Sequence, residues 1–222
     1  MWPTKTNQNR WLTSPWSSRF LSSATVPTNI GDAFLLPLPT YISGTIEAMG
    51  IYKTNTSNNV TIFQLAVYNS DSDGKPTTVL TDFGTVSMAD STSGMKSVAG
   101  SAVLSADNLY WLAVKKNANA TGTTTFVVHN TAASSPFQWF PYGWDSSNFT
   151  GLTASTATSA RALLYPTATT GIGSGAYADL SSFTPSLVTS QFPMPWLTFE
   201  FTPEGAAGWA WHGAQPFWQD VG

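Results

Sequence analysis

The chain has 222 residues, of which 42% are hydrophobic and only 9% charged; nine Lys and Arg stand against twelve Asp and Glu, for a net charge of −3. A typical domain carries about 25% charged residues, so Ser, Thr, Asn and Gln must supply the polar surface here, and weak charge repulsion favours ordered self-association. Lys115-Lys116 is the only basic pair, which argues against nucleic-acid binding. Cysteine is absent, and this excludes disulfides and thiolate metal sites.

The first ten residues contain no apolar core of a signal peptide, so export by the usual route is not expected. No apolar run approaches the ~18 residues of a membrane helix, and membrane insertion is not expected either. Residues 1–32 scatter Trp2, Trp11, Trp16 and Phe20 among Thr, Ser, Asn and Pro, and read as an extended N-terminal arm. Residues 33–53 read as two strands around a turn, with Pro37 and Pro39 confining the first to a sheet edge or its start. Further strands are expected near 60–69, 78–88, 95–104, 108–116 and 123–130. Their regular spacing suggests a sandwich or jelly roll.

Helical periodicity is weak throughout. The Ala-rich stretch 153–164 is a short-helix candidate, weakened by five Ser and Thr residues between 153 and 159. Residues 167–174 are Thr- and Gly-rich and read as a flexible loop. The last strand, near 195–201, places Trp196, Thr198 and Glu200 on one side and Leu197, Phe199 and Phe201 on the other. The expected architecture is all-β: one antiparallel, jelly-roll-like β-sandwich over 33–202. Residues 131–190 form either long loops or a small lobe, and a Trp-rich C-terminal tail occupies 203–222.

The most informative stretch runs from Gln64 to Phe83. Phe63, Leu65 and Val67 share one face, and residues 69–76 are dense in turn formers. Several short motifs surround it in order: Leu35 to Pro39, Met49-Gly50-Ile51, Leu65-Ala66-Val67-Tyr68-Asn69, Gly74-Lys75-Pro76, Asp82 to Val86, and Leu104 followed by Tyr110 to Ala113. In order and spacing this set resembles a β-sandwich domain of tailed-bacteriophage virion structural proteins, of the tail-fibre or head-decoration type. The likeness covers roughly residues 33–130. It departs at Thr77, where the family has glycine, and at Asp107-Asn108, where proline-glycine is common. The resemblance implies an architectural or adhesive role, assembly into homo-oligomers such as trimers, and contact with other virion proteins. It implies a virion location after synthesis in the host cytoplasm. It transfers no catalytic residues.

Residue chemistry offers few competing sites. Asn69, Asp71, Asp73 and Gly74 mimic the first half of a calcium loop, but the twelfth position is Leu80 where a bidentate Glu would stand. An Asx-rich hairpin turn is the favoured reading, and no metal is expected. The chain has only two histidines, His129 and His212, with no nucleophile elbow. Gly171 to Gly175 lacks the lysine of a phosphate loop. Asp71, Asp73, Asp82, Asp145 and Glu200 show no spacing that argues for glycoside hydrolysis. No enzymatic activity and no cofactor are expected.

Two aromatic groups invite functional readings. Phe137, Trp139, Phe140, Tyr142 and Trp144 crowd into one short stretch. With Gln138, Asp145 and Asn148 they could form a platform for a host-surface glycan or receptor; packing against the sandwich or a neighbouring subunit is the plainer alternative. Six of the ten tryptophans, Trp2, Trp11, Trp16, Trp209, Trp211 and Trp218, fall in residues 1–16 and 203–222. Free ends with so many rings would be adhesive. They are expected to dock into partner subunits, with packing on their own domain as the alternative. The functional expectation is a self-assembling structural protein on the outer surface of a tailed-phage particle, and the alternative is a carbohydrate- or receptor-binding module.

Overall fold

The computed structural model describes residues 10–13, 21–24, 30–56, 61–118, 126–129, 162–165, 175–188, 194–195 and 197–204. These form thirteen strands: β1 (Arg10–Thr13), β2 (Leu21–Ala24), β3 (Ala33–Thr40), β4 (Gly44–Lys53), β5 (Ile62–Ser70), β6 (Pro76–Ser87) and β7 (Gly94–Leu104), then β8 (Asn108–Ala118), β9 (Phe126–His129), β10 (Ala162–Tyr165), β11 (Ser186–Val188), β12 (Met194–Pro195) and β13 (Leu197–Pro203). All pairings are antiparallel. A six-stranded sheet has the order β11-β10-β3-β8-β5-β6. In the seven-stranded sheet β4 lies between β13 and β7, β1 flanks β13, and β9 carries β2 and β12.

The sheets meet through one apolar core. The six-stranded sheet contributes Phe34, Leu36 and Leu38 from β3, Phe63, Leu65 and Val67 from β5, and Tyr110, Leu112 and Val114 from β8. Ile46, Met49 and Ile51 of β4, Ala102 and Leu104 of β7, and Leu197 and Phe199 of β13 face them. These are alternate residues along each strand, as the two-residue period requires, with the phase shifted once in β4 by a bulge between Ile46 and Ala48. The result is an antiparallel, sandwich-like, all-β fold.

The other alternate residues of the six-stranded sheet are buried too. Ala33, Leu35, Ala66, Tyr68, Trp111, Ala113, Leu163 and Tyr165 form a second cluster on the sheet's outer face, roofed by Tyr177 and Leu180. The run Leu-Tyr-Trp-Leu-Ala-Val in β8 is therefore apolar without a break because both of its faces are covered.

Strand β3 lies inside the six-stranded sheet, yet β10 pairs only with Ala33, Phe34 and Leu35. Pro37 and Pro39 fall beyond that overlap and have β8 as their strand neighbour. Each proline lacks a donor, and the half-covered strand tolerates that. The helix considered for 153–164 is a strand where described, since Ala162–Tyr165 is β10; its β-branched-poor but bulky Leu163 and Tyr165 pack into the outer cluster, and tertiary burial overrides weak helix propensity. Strands β1 and β2 come from residues 1–32, so parts of that segment belong to the seven-stranded sheet.

Among the described residues, the outermost long strands of the two sheets, β6 and β7, lie side by side. A bulge at Phe83-Gly84, with Gly84 at φ 88°, turns the Phe83 ring onto β7. A Cβ on Gly100 would sit 2.4 Å from that ring. Thr81 Oγ1 donates to the Ser101 carbonyl at 2.9 Å across the same seam. Replacing Gly100 with Ala should push the ring out of its place and cost about 1–3 kcal/mol of stability, read as a lower urea midpoint; an unchanged midpoint would mean the seam contributes nothing.

Candidate functional site

Three regions of the described structure concentrate chemistry: the roof over the six-stranded sheet, the loop between β6 and β7, and the end of the sandwich where β13 finishes.

The roof is the segment 175–183. Its Tyr177 is edge-on to Tyr68, with ring centroids 5.7 Å apart and planes at 86°. The Tyr177 hydroxyl donates to the Gln64 carbonyl at 2.6 Å, and the Tyr68 hydroxyl donates to the Ala178 carbonyl at 2.9 Å. Leu180 N–H donates to the Thr77 carbonyl at 2.9 Å, fixing the segment to β6. Beneath it Lys115 is wholly buried. Its ammonium lies 4.5 Å from the Tyr177 ring centroid and donates to the Gly175 carbonyl. Burial lowers the Lys115 pKa, opposed by the nearby Asp82 carboxylate.

Gln64 joins this network. It donates to Asp82 Oδ2 at 2.5 Å and accepts from Asn117 Nδ2 at 2.8 Å. Every polar contact here fastens the roof or a neighbouring strand. Among the described residues the network holds no nucleophile–base pair. The arrangement is a structural clamp.

The β6–β7 loop is held by another buried lysine. Lys53 of β4 donates to the carbonyls of Met88 (2.9 Å) and Asp90, and lies 3.3 Å from Asp90 Oδ1. Lys96 reaches the other carboxylate oxygen. Lys96 first, then Lys53 and Thr92, hold the Asp90 pKa down to about 2. That pinning is in force above the ordinary carboxylate pKa and is lost as pH falls through about 2.

At the third region, four pieces meet. The turn at 41–43 follows β3, the turn at 105–107 joins β7 to β8, the turn at 71–75 joins β5 to β6, and β13 ends at Pro203. Glu204 N–H donates to the Ser43 carbonyl at 2.8 Å, and Ala106 N–H to Ser43 Oγ at 2.9 Å. Trp111 Nε1 donates to the Gly74 carbonyl at 3.0 Å. Asp107 adopts φ 59°, a left-handed conformation that Asp accepts more readily than most residues.

The Asx-rich turn is explained by its own hydrogen bonds. Asp71 Oδ1 accepts from the backbone N–H of Asp73 (2.9 Å) and of Lys75 (2.8 Å), while Gly74 takes φ 82°. Asn69 Nδ2 donates to Thr78 Oγ1 at 3.1 Å. Asp71 therefore spends one oxygen on shaping the turn. Among the described residues no three His, Cys, Asp or Glu gather into a metal-binding group.

The two most exposed large apolar residues among those described also stand at this end: Val103 is 66% exposed and Tyr41 65%. Val103 pairs with Thr45, which pairs in turn with Thr202, so three strands present it on the outer face of the seven-stranded sheet. Strand β1 begins at Arg10, opposite Phe201 of β13. The first residue of β1 and the last residues of β13 thus lie at the same end of the sandwich.

The residues singled out by sequence fall mostly elsewhere. Phe137, Trp139, Phe140, Tyr142, Trp144, Trp2, Trp16, Trp209, Trp211 and Trp218 lie outside the described residues. Trp11 is in β1, paired with Glu200. Tyr41, Val103, Lys115 and Tyr177 were not singled out. Alternation from Trp111 and Ala113 does place Lys115 on the outer, roofed face, whereas nothing local marks Tyr177 as its cover. Comparisons with family models, with curated proteins and with solved structures find no match for this chain.

The clamp has a pH signature. Burial pushes the hydroxyl pKa values of Tyr68, Tyr165 and Tyr177 well above the usual 10. Their stabilisation is complete below pH 10 and falls above it, because only the unfolded chain then ionises. Lys115 and Lys116, with pKa values lowered by burial, act in the opposite sense up to about pH 10.5, so the phenols dominate beyond that. The loss should approach about 4 kcal/mol per pH unit if all three stay protonated. Urea unfolding between pH 10.5 and 11.5 measures it; a flat profile would show that the phenols ionise in the folded protein.

Proposed function

We propose that this chain is a structural protein on the outer surface of a tailed-phage particle, a fibre, tail appendage or head decoration, anchored through its terminal segments and assembling with its own copies. The observation that carries the reading is that the start of β1, at Arg10, and the end of β13, at Pro203, lie at the same end of the sandwich. Such a body has an attachment end and a free end, as an appendage requires.

Other features agree with it. The motifs that resemble the phage domain fall on β3, β4, β5, β6, the end of β7, β8 and the 71–75 turn, and these strands build the core. The polar groups resolved in the sandwich hold strands and loops together. With 9% charged residues, contacts between copies meet little charge repulsion. The role is then mechanical: the sandwich resists unfolding outside the cell, and the tryptophan-bearing ends fix it in place.

The test is location. Particles purified on a density gradient from a culture producing the chain should contain it in a fixed copy number, measured by quantitative mass spectrometry, and antibodies should label their outer surface. Recovery of the chain only in the soluble fraction, with none on particles, would contradict the proposal.

A further inference from the structure

We infer that the surface around Val103 and Tyr41 is the docking site for the tryptophan-rich segment 205–222 of a second copy of this chain. The inference rests on the structural reading above and names its contact.

Among the described residues this surface carries the two most exposed large apolar side chains. The outer face of the six-stranded sheet has its roof of Tyr177 and Leu180. On the seven-stranded sheet, Val103 projects beside Thr45 and Thr202, and Tyr41 stands on the adjoining turn, both about two-thirds exposed. Small neutral neighbours, Ser97, Ala99 and Ser101 on β7, extend the strip and are exposed. A flat face with small side chains lets apolar rings approach the backbone closely.

The occupant is indicated by where the chain goes next. The last described residue, Glu204, is tied to Ser43 in this same region. Eighteen residues follow, among them Trp209, Trp211, Phe217 and Trp218, with Asp220 the only charged side chain. From Thr202 to Val103 is two strand spacings, roughly 10 Å. Eighteen extended residues reach about 60 Å. The segment is far longer than its own patch requires, and long enough for its distal rings to reach the equivalent surface of a neighbour. Tryptophan is the residue type most often found as an anchor at such contacts. Exchange of ends between identical copies makes the same contacts in every subunit and closes into a symmetric assembly.

The test uses the full-length chain and two surface variants, Val103→Glu and the combined Trp209→Ser, Trp211→Ser, Trp218→Ser. Mass in solution is read by sedimentation across a hundredfold range of concentration, with melting temperature as a check on folding. The expected result is an oligomer for the parent chain. Both variants should then need at least tenfold higher concentration to associate, with melting of the dissociated subunit unchanged. If the parent is oligomeric and both variants associate as it does, the docking site is wrong while the self-assembly reading stands. A monomeric parent at every concentration contradicts both. A monomeric parent whose melting temperature falls in both variants shows that the segment covers its own subunit, and that also overturns the inference.

Discussion

The central strands of the six-stranded sheet, β3, β8 and β5, are buried on both faces, and the rest of the structure follows from that constraint. One face meets the seven-stranded sheet; the other needs a cover that neither sheet can supply. Segment 175–183 provides it by laying Tyr177 and Leu180 over Tyr68, Trp111 and Ala113. Burying each large side chain contributes about 1.5–3 kcal/mol. Without the cover, Trp111 and Tyr68 would present their rings to water, and Lys115 would lose the carbonyl and the ring that hold it.

Covering a sheet also buries its polar groups. A buried donor or acceptor without a partner costs about 1–3 kcal/mol, and the clamp is arranged to limit that cost. Tyr177 satisfies the Gln64 carbonyl, Gln64 bridges Asn117 and Asp82, and Lys115 donates to Gly175. Asn117 Oδ1 is buried without a hydrogen-bond partner, so the network is not complete. The same economy governs Lys53, whose burial is offset by Asp90 and two carbonyls in the β6–β7 loop. Charge is scarce in this protein, and two of its lysines are spent inside it.

The strands were largely legible because each carries a two-residue apolar period. Phe63, Leu65 and Val67 face the main core as their spacing implies, as do Leu197 and Phe199. At the turn between β7 and β8, Asp107 takes the left-handed conformation that its side chain permits. Short strands were harder. Ala162–Tyr165 and Ser186–Val188 are too brief to show a period, and they exist through pairing with β3 and with each other. The roof was illegible for a related reason. Tyr177 meets Gln64 across 113 positions of sequence, and no local pattern records so distant a contact. At the end where β13 finishes, Val103 looks like any strand valine until the register shows that it points outward.

Hydrogen exchange measured by mass spectrometry on the intact chain and on Tyr177→Ala tests the central claim most directly. The account predicts that removing the ring frees the Leu180 amide from Thr77 and exposes the outer face, so that peptides spanning 175–183 and 108–118 both exchange at least tenfold faster. Unchanged protection of 108–118 in the variant would show that the six-stranded sheet does not depend on its roof.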